Sequence, residues 1–234
     1  MKKTTIILLL LIASAFLEAQ SLEEIIMKYS SAIKADRLSS VSTVRITGKT
    51  SAMGMEMPLT MIMKNPNKVK VVNVFNGREI VSVFDGEKGY SINPMTGSSK
   101  PVELKEDQLK QVQNNNIFSN ELMRYYKNGK LTLAGEENVN GKTAYKLKAE
   151  IEGDKPVFLY LDKNSYLLLK TSTLVTQMGA SVKIESYMYD YSETDGVIIP
   201  MKTLAKVNGM DAAMITFDKV ETDILVDDSV FSIK

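Results

Sequence analysis

The sequence predicts an α+β protein built on one highly curved antiparallel sheet with a few helices. Three observations predict it. From residue 41 the apolar residues recur mostly at every second position, the period of a half-buried strand. Asn-Gly and Asp-Gly dipeptides punctuate those runs, as they do in tight hairpins. Two stretches, 21–37 and 102–127, depart from the two-residue period and read as helices.

The N-terminus comes first. Lys2 and Lys3 precede an apolar run over residues 6–16, and Leu17-Glu18-Ala19 then offers a small residue at a cleavage position. This is the three-part pattern of a secretory signal peptide, cleaved near Ala19. The run is about half the ~20 residues that a membrane-spanning helix needs. Cleavage would leave Gln20 first, in a mature domain of residues 20–234. That length is enough for one domain with a useful core.

Residues 21–37 follow as one amphipathic helix, with Leu22, Ile25, Ile26, Tyr29 and Ile33 on one face. Ser21 with Glu24 three residues on is a capping box, which satisfies backbone donors at the helix start. Strands are predicted at 41–49, 53–64, 68–75, 79–84 and 88–92, with turns at Asn76-Gly77 and Asp85-Gly86. Residues 93–100 read as a turn-rich loop. Residues 102–127 give two short helices broken near Asn114, Asn115 and Asn116. Strands return at 131–137, 143–151, 157–161, 167–178, 181–191, 197–207 and 210–220. Short turns between them define a meander. In 143–151, Thr143, Tyr145, Leu147, Ala149 and Ile151 alternate with Ala144, Lys146, Lys148 and Glu150, so one face is predicted buried and the other wet.

Composition excludes several function classes. The chain has no His and no Cys, which removes Ser-His-Asp and Cys-His catalysis, the usual zinc sets and disulfides. Without a cysteine there is no site for an N-terminal lipid anchor. No phosphate-cradling glycine loop is present. Basic and acidic residues number 29 and 28, and no basic stripe interleaved with aromatics points to nucleic acid. The remaining enzyme reading is a two-carboxylate hydrolase using Asp190, Glu193 and Asp195. Turn chemistry at residues 192–196 is the stronger reading, and the spacing does not match a calcium-binding EF-hand loop. The expectation is a non-enzyme with no metal and no cofactor.

The methionines are the unusual feature. Met53, Met55, Met57, Met61 and Met63, with Leu59, take alternate positions and would line one strand face. Met is flexible and polarizable, and suits surfaces that accept variable apolar partners. Two readings stand: a soft lining for acyl chains, or ordinary core beneath the helices. Pro58 suggests a bend or an edge. Tyr187, Tyr189 and Tyr191 form a second alternating row. With Tyr160 and Tyr166 they could make an aromatic ledge, although cross-strand pairing is the simpler role.

Several motifs together resemble the periplasmic lipoprotein carrier family (LolA/LolB-like). They are Lys64-Asn65-Pro66-Asn67-Lys68-Val69-Lys70, Phe84-Asp85-Gly86-Glu87-Lys88-Gly89-Tyr90 and Asn93-Pro94. The hairpin Val139-Asn140-Gly141-Lys142-Thr143-Ala144-Tyr145-Lys146-Leu147, the strand pair Tyr160-Leu161-Asp162-Lys163 with residues 167–170, and the ending Asp227-Asp228-Ser229-Val230-Phe231 are similar too. The family's Arg before the strand-opening Pro is here Asn65, with Lys64 beside it, and its Trp is Tyr90. The resemblance implies an incomplete, strongly curved antiparallel β-barrel with helices plugging its concave side.

The resemblance also implies a soluble periplasmic carrier, monomeric, for an acylated lipoprotein or lipid. An inner-membrane donor and an outer-membrane acceptor would be its partners. The cavity would be lined by Met53, Met55, Met57, Leu59, Met61, Met63, Tyr145, Leu147, Leu159 and Leu161. Leu109, Val112, Phe118, Leu122 and Met123 would sit on the lid, and Lys64 with Asn65 would hold the family's basic position. An envelope sensory or regulatory module, or a structural interaction protein, is the alternative on the same fold.

Overall fold

The structure, a computed structural model, describes residues 20–232 except Gly97, Glu152, Asp154 and Met178. The expected signal peptide, residues 1–19, lies outside the described residues. Strand dominates. Helix α1 (Leu22–Ala32) and helix α2 (Ala35–Ser40) lead into β1 (Thr43–Ala52), β2 (Met55–Lys64), β3 (Lys68–Phe75), β4 (Arg78–Phe84), β5 (Gly89–Asn93) and β6 (Ser98–Leu104). Helices α3 (Glu106–Gln113) and α4 (Glu121–Lys127) follow. The rest is β7 (Leu131–Val139), β8 (Lys142–Ala149), β9 (Val157–Asp162), β10 (Leu168–Gln177), β11 (Ala180–Thr194), β12 (Val197–Val207) and β13 (Met210–Thr222). All thirteen strands form one unclosed antiparallel sheet, ordered β6-β5-β4-β3-β2-β1-β13-β12-β11-β10-β9-β8-β7.

Local chemistry explains the meander. Asn76-Gly77, Asn140-Gly141, Asp195-Gly196 and Asn208-Gly209 all have positive φ at both positions, between 48° and 87°. Two-residue hairpin turns that match the twist of their strands need that geometry, and Asn, Asp and Gly tolerate it best. Gly48 is required for another reason. A Cβ there would lie 2.1 Å from the Thr216 carbonyl oxygen, at a register shift between β1 and β13.

Three sequence expectations are corrected. The predicted helix over 21–37 is two helices, because Lys34 takes a left-handed conformation (φ 51°) between them. The predicted loop over 93–100 contains a 3-10 turn at Pro94–Thr96 and the start of edge strand β6. Met53 is not on a strand face: with Gly54 it forms the β1–β2 turn, and β2 begins at Met55. The alternation in β8 is also less simple than predicted. Thr143 is exposed and Ala144 is fully buried, because Tyr160 and Val139 cover the second face there.

All four helices pack on the same side of the sheet. Leu38 of α2 and Val112 of α3 join Val44, Ile46, Leu59, Met61, Met63, Val69 and Phe84 in one apolar cluster. Ile25, Ile26 and Tyr29 of α1 and Leu122 of α4 join Leu131, Tyr145, Leu147, Leu159 and Leu161 in another. The segment with α3 and α4 runs from one sheet edge, β6, to the other, β7. A cleft of about 1020 Å³ beside it is lined by Phe84 and Gly86 from one half of the sheet and by Glu150 and Val157 from the other. In a flat sheet, eight strand spacings of about 4.8 Å would hold β4 and β9 roughly 38 Å apart. One cleft bordered by both requires the sheet to bend.

Candidate functional site

The predicted lining residues divide along β2. Met53 and Met55 are exposed and Met57 is half-buried, whereas Leu59, Met61 and Met63 are enclosed. Pairing explains the gradient. Met63 lies between Val44 of β1 and Val69 of β3, and Met61 between Ile46 and Val71. Further along, Met55 opposes only Ala52 at the hairpin end. The methionine row thus runs from solvent into the core.

Leu109, Val112 and Phe118 of the α3 region meet this end of the row. Tyr145, Leu147, Leu159 and Leu161 lie in the second cluster, with Leu122 and Met123 against them. The sequence-predicted residues therefore form two apolar patches, each with its own helix cover, rather than one continuous wall.

In the second patch the structure brings together Tyr145, Tyr166 and Gln20, a contact that sequence reading did not give. The Tyr145 hydroxyl donates to Gln20 Oε1, and so does Tyr166, at 3.1 Å. The two tyrosine rings stack with centroids 6.1 Å apart. Gln20 is thereby held on the sheet. Burial pushes the Tyr145 hydroxyl above its ordinary range, and burial alone raises Tyr29 of α1 to about 12. Both stay protonated donors at neutral pH.

The connection between α3 and α4 is anchored by Asn116, which is 5% exposed. Its Nδ2 donates to the Pro66 carbonyl at 3.1 Å, and its Oδ1 accepts from the Phe118 N–H at 3.0 Å. The helix break near this Asn run was readable in the sequence. Its role as a tie to the β2–β3 turn was not, because partners fifty residues apart leave no local pattern.

Lys64 and Asn65 are both engaged. Lys64 Nζ lies 2.6 Å from Asp228 Oδ1, and Lys68 Nζ lies 2.9 Å from the other oxygen. Hydrogen bonds from the two lysines hold the Asp228 carboxyl down at about 2. Asn65 Nδ2 donates to the Ser39 and Val41 carbonyls at 3.0 Å each. This position fastens α2 and the C-terminal 3-10 turn, Asp228–Phe231, to the end of β2.

The carboxylates of the hydrolase reading do not converge. Glu193 pairs with Lys34 at 2.7 Å, and Asp195 accepts from the Thr222 hydroxyl at 2.9 Å. Asp190 lines a separate cleft of about 470 Å³ with Asp162 and Tyr189. Among the described residues no cluster of three acidic side chains could hold a metal ion. No helix among them is long and apolar enough to cross a membrane.

On the opposite sheet face Tyr160 and Tyr187 meet lysines rather than other rings, while the Tyr191 hydroxyl donates to the Leu168 carbonyl at 2.8 Å. Lys170 Nζ lies 4.0 Å from the Tyr160 ring centroid and 5.8 Å from that of Tyr187. Lys170 also reaches Glu137 at 3.3 Å and Glu185 at 3.6 Å. Burial works to raise the Glu185 carboxyl, but Lys183 and Lys170 hold it below the usual carboxylate range.

This architecture, an unclosed antiparallel sheet with short helices on one side, is shared with solved structures that include a LolA superfamily protein. A LolA superfamily protein from Nitrosomonas europaea matches with a TM-score of 0.58 at 15% identity, over 88% of this chain and 97% of that one. A domain assigned to the outer membrane lipoprotein-sorting proteins, from Vibrio parahaemolyticus, matches at 0.59 and 11% identity, over 88% and 97%. A DUF1329 family protein from Desulfovibrio piger matches at 0.59 and 14% identity, over 89% and 97%. No family model and no curated protein matches the chain.

Proposed function

We propose that the protein is an exported carrier that shields acyl chains of a lipoprotein or lipid from water. In this reading the sheet is an incomplete, strongly curved β-barrel, and the helices plug its concave side. The supporting observation is the way the apolar side of the sheet is covered. Four short helices cover it, in two patches, and the α3–α4 segment spans from edge to edge. Short helices held mainly by side-chain packing are elements that can be displaced. Displacement would open Leu59, Met61 and Met63 on one side and Leu147, Leu159 and Leu161 on the other.

The energetic logic is direct. Each buried CH₂ contributes about 0.8 kcal/mol, so a long acyl chain needs a protein host to cross an aqueous space. Flexible methionines accept chains of varied shape at little cost. In this reading residues 1–19 are removed on export and residues 20–234 work as one domain in the periplasm. They would collect cargo from an inner-membrane donor and pass it to an outer-membrane acceptor. Lys64 stands beside Asn65, the position that corresponds to the family's basic residue, and release of Asp228 would free it.

The absence of native cysteine makes a clean test possible. A side chain added at Gly89 would meet Leu109 of α3, so Gly89→Cys with Leu109→Cys can lock α3 to β5. The oxidised variant is expected to exchange a fluorescent fatty-acyl probe more slowly than the reduced one. Exchange at the same rate in both states would overturn the lid. Native mass spectrometry of the protein taken gently from the periplasm tests cargo directly. A co-purifying acylated species is expected, and a bare mass would count against the carrier.

A further inference from the structure

The two ends of the sheet differ in the chemistry of their hairpin turns. At one end the turns are polar: Asp85-Gly86, Asn140-Gly141, residues 162–165 and Asp195-Gly196. At the other end, beside the polar turn Asn76-Gly77, three connections carry methionine in solvent. Met53 in the β1–β2 turn is 92% exposed, Met55 beside it 39%, Met210 after the β12–β13 turn 71%, and Met95 between β5 and β6 61%. The first two hairpins are direct neighbours, since Ala52 pairs with both Met55 and Ala213.

Met53 is anomalous on a second count. Its φ is 51° and that of Gly54 is 75°, the same geometry that Asn or Asp with Gly occupies in four other hairpins of this sheet. A left-handed turn position favours Asn and disfavours a long apolar side chain. Folding gains nothing from Met there, and solubility is worse for it.

We propose that this end of the sheet docks on a lipid bilayer, with Met53, Met55, Met95 and Met210 entering the boundary between headgroups and acyl chains. Apolar side chains on separate turns suit a fluid boundary, which adapts to each tip. A protein partner would instead need a contiguous, complementary patch. The charges beside the tips match a surface without net charge, because they balance: Lys49 pairs with Glu56 at 2.7 Å, Lys206 pairs with Asp211 at 3.0 Å, and Arg78 and Glu79 of the β3–β4 hairpin are of opposite sign. Attachment is therefore apolar and insensitive to salt. This goes beyond the carrier reading and holds with or without a cargo.

The test is flotation of the exported, processed protein with phosphatidylcholine vesicles, its N-terminus determined by mass so that residues 6–16 are known to be absent. The wild type is expected to float with the vesicles in low and high salt alike. The triple variant Met53→Asn, Met55→Thr, Met210→Thr should lose roughly ten-fold or more in binding, because three apolar side chains leave the boundary. Leu225→Thr, at a fully exposed site in the segment after β13, should bind like the wild type. Met53→Asn improves the turn, so the triple variant should melt no lower than the wild type, and its loss of binding cannot be charged to unfolding. A wild type that does not float, a triple variant that floats equally, or binding that needs phosphatidylglycerol and vanishes in salt would each overturn the proposal.

Discussion

Met63 has no exposed surface, and Val44 and Val69 oppose it on the two neighbouring strands. Truncating it leaves a cavity that rigid strand neighbours cannot fill. Met63→Ala should therefore cost about 2–5 kcal/mol in urea unfolding, while Met55→Ala, already in solvent, should cost little. Asp228 acts through charge. Its folded pKa, about 2, lies below the ~3.9 of an unfolded aspartate. Its contribution is thus fully present above about pH 4 and is lost as pH falls through about 2. Asp228→Asn should be less stable than the wild type at neutral pH, and the gap should close in acid melts across that window. A gap that stayed constant would mean that the lysines do not depend on that carboxylate.

Among the elements, α3 and α4 depend most on a single tie. Asn116→Ala would leave the Pro66 carbonyl and the Phe118 N–H without their partner, at about 1–3 kcal/mol. The expected signature is faster amide exchange across residues 106–127, with protection in β1, β2 and β13 unchanged. What sequence could reveal at this scale followed local chemistry. The Asn-Gly and Asp-Gly hairpins and the Ser21–Glu24 capping box are written in adjacent residues, and the structure forms all of them. Strand β6 was hidden because Ser98, Ser99 and Pro101 look like turn residues, and only pairing with β5 makes them a strand. The break between α1 and α2 was hidden because Lys34, not Gly or Pro, takes the left-handed position. The methionine row was visible as a row. Its division into a solvent end and a core end was not, because that depends on which strands flank β2 and how far they extend.

Over the whole molecule, both free edges are protected against further pairing. β7 has a bulge between Leu133 and Glu136, and Glu136 is tied to Lys163 at 2.6 Å. β6 carries Pro101, which has no donor to offer, and its ladder with β5 shifts register between Ser91 and Asn93. The sheet order itself has one irregularity. Eleven of the twelve neighbouring pairs follow the chain consecutively, and the exception is β1 beside β13. A period-two pattern marks strands without naming their partners, so this joint could not be read in advance. It lies in the middle of the sheet and joins Val44 to Thr222. Its consequence concerns the order of assembly. The strands β1–β6 and β7–β13 can zip into two separate meanders through short turns, yet the two remain unjoined until the last strand is available. The step that unites them closes a loop nearly as long as the chain. The protein therefore acquires its final shape late, when its first strand meets its last.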